Sequence, residues 1–170
     1  MIGDSVTMMA QEALAERFPG VYTDGEVNRH YIAAEQIIVS METAGTLDPF
    51  VVLGFGTNGP AAGYGDPTLL DRLIEQIGDD RVIILVNPWG DEMHIPDAVE
   101  EVRDAAKTYD NVYVADWCGT AAANSWALYP DGVHPTPDGA STYVDAIEAA
   151  LQQWVDGDKE IPATRVCIRP

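Results

Sequence analysis

The chain has 170 residues, 46% of them hydrophobic and 22% charged, the profile of a soluble globular protein long enough to bury one continuous core. Its 28 acidic residues outweigh 9 basic ones, for a formal charge of −19, and a surface that negative repels nucleic acid and anionic lipid, which argues against both as partners. No apolar run reaches the length that spans a bilayer. The acid excess fits solubility or a salty habitat, and it also fits exclusion of anionic substrates.

Helical and strand periodicities alternate along the chain, the pattern of an α/β domain built on a parallel sheet. Val6 to Phe18 places Ala10, Leu14 and Phe18 at helical spacing, and Pro19-Gly20 ends that run. Val21-Tyr22 opens a short strand that continues irregularly to Val27. Tyr31 to Met41 reads as a helix with Ile32, Ile37, Ile38 and Met41 facing inward. Phe50 to Phe55 is continuously apolar, as a strand covered on both faces should be. Leu69 to Ile77 is helical, Val82 to Val86 is a second buried strand, Pro96 to Ala106 is helical and Val112 to Ala115 is the last strand. Thr136-Pro137 caps a final helix running to about Trp154, with Pro at its first position. Residues 1–156 read as one domain and residues 157–170 as a polar C-terminal tail. Cys118 and Cys167 leave two readings open, a disulfide that ties down the tail or two separate buried thiols. They have neither CxxC spacing nor histidines nearby, which argues against zinc.

Three motifs carry chemistry. Gly3-Asp4-Ser5 stands where a strand turns into a helix, a position that presents a hydroxyl at the carboxyl edge of a sheet and a backbone N–H near a helix N-terminus. Alone it reads as a plain helix cap. Asp131-Gly132-Val133-His134 spaces a carboxylate three residues before an imidazole, and Pro135 keeps the pair on a loop rather than a helix; alone it is equally a solvated turn with an incidental histidine. Gly56-Thr57-Asn58-Gly59 follows the apolar strand, its glycines allowing close approach of a substrate and Asn58 offering N–H donors, where the plain alternative is an Asn-Gly turn. Taken together they supply a serine nucleophile (Ser5), a general base (His134), a carboxylate that orients it (Asp131) and oxyanion donors (Ser5 and Asn58). Arg29 and His30 line a cleft or bind a sugar or carboxylate of the substrate, and for Arg29 a structural salt bridge is at least an equal reading. Gly56, Asn87 and Trp89 are candidate substrate contacts, and Trp89, Trp117 and Trp126 are candidates for an aromatic platform under a sugar ring, against the plainer reading of tryptophans packed in a core. His94 in Asp91-Glu92-Met93-His94 lacks metal-ligand spacing and reads as a solvated loop. The chemistry needs no cofactor and no metal.

In these pieces, together with Asp24-Gly25-Glu26-Val27-Asn28-Arg29, Val86-Asn87 and Asp116-Trp117, the chain resembles the SGNH hydrolases, also called GDSL-like esterases. Within that family it is most similar to the extracytoplasmic domain fused to membrane acyltransferases of the peptidoglycan O-acetyltransferase type. The resemblance implies a flavodoxin-like three-layer α/β sandwich with a short parallel sheet. It also implies a location outside the cytoplasm as part of a longer membrane protein. The third oxyanion donor of many members comes from a glycine, and here Asn28 holds that place, with Gly25 nearby. The implied activity is that of a serine esterase or O-acyltransferase acting through an acyl-serine on small acyl esters, acetyl above all, of cell-envelope carbohydrate. A non-catalytic carbohydrate-binding or structural domain that retains the motifs is the alternative. A receiver or flavin-binding domain fits badly, because Gly54-Phe55-Gly56 stands where a receiver needs its aspartate. Only Met1 to Gly3 precede Asp4, so most of the first strand is missing or supplied from elsewhere. On that ground the chain reads as a fragment, a mis-started reading frame or a domain cut from a longer membrane protein, with exposed apolar surface and a route to dimerisation by strand exchange.

Overall fold

The structure is a computed structural model that describes residues 1–163 and 167–168. Five parallel strands form one sheet: β1 (Ile2–Gly3), β2 (Asp24–Gly25), β3 (Phe50–Gly54), β4 (Val82–Val86) and β5 (Val112–Ala115), in the order β2-β1-β3-β4-β5. That order reverses direction between β1 and β3, so the loops after those two strands diverge and leave a crevice at the carboxyl edge. Among the described residues seven α-helices cover the sheet: α1 (Ser5–Met9), α2 (Gln11–Arg17), α3 (Tyr31–Ala44), α4 (Leu69–Ile77), α5 (Ile95–Thr108), α6 (Trp117–Ala123) and α7 (Pro137–Asp156). This is the flavodoxin-like α/β sandwich that the resemblance implies.

The strand pattern explains the three layers. Along β4, Val82, Ile84 and Val86 point into one core with Leu14, Trp117, Tyr143 and Ile147, while Ile83 and Leu85 point into the other with Tyr31, Ile38, Leu73 and Ile77. Every β4 residue is apolar because both faces are covered. Helices α1, α2, α6 and α7 cover the first face, and α3, α4 and much of α5 the second.

Several boundaries differ from expectation. The run from Val6 to Phe18 is two helices broken at Ala10, whose amide bonds back to both Val6 and Thr7. The strand expected from Val21 shrinks to Asp24–Gly25. Helix α3 continues to Ala44 and stops at Gly45, which adopts the left-handed conformation of a helix C-cap (φ 67°). Helix α6 has no counterpart in the sequence reading: its Gly-Thr-Ala-Ala-Ala composition carries little periodic signal, and it starts because the Asp116 side chain accepts from the Gly119 amide.

Strand β1 is two residues long, yet it pairs on both sides, Ile2 with Asp24 and Leu53, Gly3 with Gly25 and Gly54. Behind it lies an apolar groove of about 370 Å³, whose walls include Met1, Phe18, Val21, Phe50, Val52 and Trp154. Phe50 and Trp154 are exposed there and meet edge to face with centroids 5.0 Å apart. Cys118 and Cys167 form a disulfide, their Cα atoms 5.4 Å apart, which decides between the two readings of the cysteines. Of the tail, residues 164–166 and 169–170 lie outside the described residues. Among the described residues no helix is long and apolar enough to cross a membrane.

Candidate active site

The first turn of α1 is seated deep in the sheet edge. A Cβ at Gly3 would lie 2.0 Å from Thr7 Oγ1 and 2.5 Å from the Gly54 carbonyl oxygen, so only glycine permits the approach. Asp4 caps the helix, its Oδ1 accepting the Val6 amide at 2.9 Å. The cap leaves Ser5 as the first helical residue, 7% exposed, with its N–H among the donors that a helix start leaves without a helical partner. Burial pushes the Asp4 carboxyl up to about 6, against hydrogen bonds from Val6 and Thr57 and the nearby His134.

The opposite wall is a hairpin. Leu128 and Pro135 form an antiparallel bridge, the Tyr129 amide donates to the His134 carbonyl at 2.8 Å, and the Gly132 amide donates back to Tyr129 at 2.8 Å. At its tip Gly132 takes φ 72°, a left-handed conformation suited to glycine. Asp131 Oδ1 accepts the amides of Val133 (2.9 Å) and His134 (3.1 Å), while Oδ2 lies 3.0 Å from His134 Nδ1. Desolvation raises the Asp131 pKa, but these hydrogen bonds outweigh it and hold the carboxyl below its ordinary value. On the other side of the ring, Nε2 lies 2.8 Å from Ser5 Oγ. With the carboxylate on Nδ1, the neutral ring carries its proton there and presents Nε2 as an acceptor to the serine hydroxyl.

Thus Ser5, His134 and Asp131 come together in one hydrogen-bonded line although 129 positions separate Ser5 from His134. Asn58 stands on the loop after β3, its Nδ2 donating to the Arg29 carbonyl at 3.1 Å, which orients the carboxamide and leaves a second N–H on the same nitrogen. Gly56 takes φ 105°, and a Cβ there would meet Pro88 at 2.9 Å. Asn28 is exposed, the only non-glycine residue with positive φ (58°) among the described residues.

Other sequence candidates are used differently. The Arg29 side chain is largely buried and ion-paired to Asp24 (2.8 Å) and Glu26 (2.7 Å), and it donates to the Asp24 carbonyl, so it braces the β2 loop. Asn87 is buried, its Nδ2 on Asp116 Oδ1 (2.9 Å) and its Oδ1 accepting the Cys118 amide (2.9 Å). Trp89 and Trp117 are buried too, and only Trp126 of the three candidate platform rings is exposed. His94 ends a loop whose Asp91, Glu92 and Met93 are exposed, and is itself half-buried, with Nε2 2.9 Å from the Thr57 carbonyl oxygen. Two contributors had no signal of their own in the sequence. Asp4 was visible only as part of a motif, and Tyr64, whose hydroxyl donates to the Asn58 carbonyl at 3.0 Å, sits in a Gly-rich stretch without periodicity. Among the described residues no group of three or more His, Cys, Asp or Glu side chains is disposed to hold a metal.

Fold and side chains define a class, the parallel-sheet α/β proteins with a serine, histidine and aspartate gathered at the switch point of the sheet. No family model matches the chain. It is 32% identical over 152 residues to peptidoglycan O-acetyltransferase OatA of Listeria monocytogenes, covering 89% of this chain and 24% of that protein. Among solved structures, the OatA C-terminal catalytic domain of Streptococcus pneumoniae, with a methylsulfonyl adduct, superposes with a TM-score of 0.80 at 27% identity over 95% of both chains. A member of the lipolytic G-D-S-L family from Veillonella parvula shares the fold, with a TM-score of 0.67 at 16% identity over 89% of this chain and 96% of that one. In sequence the chain is similar to peptidoglycan O-acetyltransferases of the OatA type, and in fold it is similar to GDSL-like hydrolases. It spans about a quarter of the length of the curated relatives it matches.

Proposed function

We propose that this chain is a serine-dependent O-acyltransferase or esterase that handles acetyl esters of cell-envelope carbohydrate. The observation that carries the reading is the 2.8 Å contact between Ser5 Oγ and His134 Nε2, with Asp131 on the other ring nitrogen. Ser5 Oγ attacks the acyl carbonyl as His134 Nε2 takes its proton. The tetrahedral oxyanion receives hydrogen bonds from the Ser5 N–H and Asn58 Nδ2, and a third donor is Asn28. Collapse passes the proton from His134 to the departing alcohol and leaves an acetyl-serine. A second hydroxyl then attacks, losing its proton to His134, which hands it to Ser5 Oγ as the acyl–serine bond breaks. Water as that hydroxyl gives hydrolysis, and a sugar hydroxyl gives transfer.

Transfer to a peptidoglycan sugar is supported by the relatives named as peptidoglycan O-acetyltransferases. Attachment to a longer polypeptide is supported by the quarter-length match. A location outside the cytoplasm is supported by the disulfide, since such bonds persist in oxidising compartments. Exposed Trp126, on the turn leading into the His134 hairpin, is the remaining candidate for contact with a sugar ring. The non-catalytic alternative requires an unplaced Ser5 and is disfavoured by the same 2.8 Å contact.

The test is acetyl release from an activated ester, with and without a chitooligosaccharide acceptor, alongside labelling by a sulfonyl fluoride. Release and labelling that vanish in Ser5→Ala support the mechanism, and acceptor-dependent formation of acetylated sugar supports transfer. A folded parent that neither reacts with the probe nor releases acetate would sink the enzymatic reading.

A further inference from the structure

The hydrogen bonds inside the 128–135 hairpin fix its shape but not its height above Ser5. One tie from the sheet reaches its tip: the Trp89 indole N–H donates to the Gly132 carbonyl at 3.0 Å, in a buried setting. Gly132 lies between Asp131 and His134, so this bond acts on the peptide that joins the proposed orienting carboxylate to the proposed base. Trp89 stands in the turn after β4, and that turn touches the other half of the site as well, because Pro88 packs against Gly56 where a Cβ would lie only 2.9 Å away. The turn is itself held from behind. The Gly90 amide bonds to the Cys167 carbonyl (3.4 Å), Gly90 and Ile168 form a parallel bridge, Cys167 is disulfide-bonded to Cys118, and the Cys118 amide bonds to Asn87 Oδ1. Contacts therefore run without a gap from the tail disulfide to the loop that carries His134.

We propose that Trp89 is a positioning residue for His134, holding the Asp131–His134 loop at reacting distance from Ser5, and that the Cys118–Cys167 disulfide steadies the turn from which Trp89 reaches. The assignment rests on the serine mechanism above. It replaces a sugar-platform role for Trp89, whose ring is 7% exposed and whose only polar atom is already engaged. Removing the donor leaves a buried carbonyl unsatisfied and frees the loop tip to move outward. Serine and imidazole then meet in a smaller fraction of molecules, so chemistry slows while binding of a small ester does not.

Trp89→Phe removes the N–H and keeps much of the ring. Replacement of Trp89 by benzothienylalanine, which puts sulfur in place of the N–H at nearly constant shape, serves where Trp89→Phe folds poorly. For a small activated ester we expect kcat to fall about tenfold, the effect of losing one buried hydrogen bond, with KM within about twofold. In a His134→Ala background the same replacement should leave the residual rate unchanged, because Trp89 acts only through His134. Reduction of the disulfide should slow the parent and leave the Trp89 variant at its own rate. An unchanged kcat in both Trp89 variants, or an equal loss with and without His134, overturns the positioning role. Equal slowing of parent and variant on reduction overturns the link to the disulfide. Activity that survives Ser5→Ala would instead indict the serine mechanism, so the two failures are distinguishable.

Discussion

Asp4 is a carboxylate buried to 1% exposure beside the reacting pair, and its cost is visible in its ionisation. Desolvation lifts its pKa to about 6 from an ordinary 3.8. Because the folded state holds this proton more tightly than the unfolded chain, the contribution to stability is fully present below pH 3.8 and is lost as pH rises towards 6. The ionised group then costs on the order of 3 kcal/mol at neutral pH. Asp4→Asn keeps an oxygen to cap Val6 and removes the charge. We expect it to flatten the fall in stability between pH 4 and 6, raising Tm at pH 7 by several degrees and leaving it nearly unchanged at pH 4 in thermal melts. Kcat should fall, since the variant no longer sets a negative charge near the imidazolium that forms in the transition state. A melt at pH 7 no higher than that of the parent would show that the buried charge is compensated by its neighbours. The gathering of Ser5, His134 and Asp131 into one candidate site was legible in the sequence because each depends on local spacing at a strand end or turn. Asn87, Trp89 and Arg29 stayed open between two readings for a general reason. Their side chains can bind a ligand or brace a loop, and only burial and partners, which are long-range properties, decide which.

At the scale of elements, the junction of α7 with the hairpin matters most, because α7 begins three residues after His134. Thr136 caps that helix by accepting the Gly139 amide at 3.0 Å, and the Thr136 amide donates to the Ala127 carbonyl at 2.8 Å. A Cβ at Gly139 would fall 1.8 Å from that same Ala127 oxygen. Two effects compete in Gly139→Ala. Alanine gains about 1 kcal/mol of helix propensity over glycine, but a clash with rigid backbone typically costs about 1–3 kcal/mol, and at 1.8 Å it should reach the upper end. We therefore expect net destabilisation by denaturant melts and a loss of kcat, because relief of the clash moves the hairpin base away from α7. A variant as stable and as active as the parent would mean that the hairpin tolerates displacement. The elements best read from sequence, β4, β5 and α4, are those whose pattern is set by their own burial: continuous apolar runs for the strands, a strong helical period for the helix. Those misread, β2, α6 and the break at Ala10, are set by their neighbours. Strand β2, for example, lies so close to α1 that a Cβ at Gly25 would meet the Met8 amide nitrogen at 2.4 Å.

Across the whole molecule, charge and covalent closure pull in opposite directions. Of the basic residues, Arg17, Arg29, Arg72, Arg81, Arg103 and Lys107 each sit in ion pairs with acids, and Lys159 donates to the Tyr109 carbonyl. Most of these pairs are at the surface and worth little each, so they leave a large net negative charge that repels itself. The disulfide acts on the unfolded chain instead. It joins residues 49 apart, and closing a loop of that length removes entropy worth about 4 kcal/mol from the unfolded state. For a chain of this size that is a loss of about 10 °C in Tm when the bond is absent. Cys167→Ser, or the parent held in reductant, should melt lower by that amount, and added salt should recover part of the loss by screening the acidic surface. A Cys167→Ser variant melting within about 2 °C of the oxidised parent would show that native contacts of the tail, rather than the bond, keep it in place. The link proposed between the tail and Trp89 would then have to run through the backbone contacts of Gly90 with residues 167 and 168.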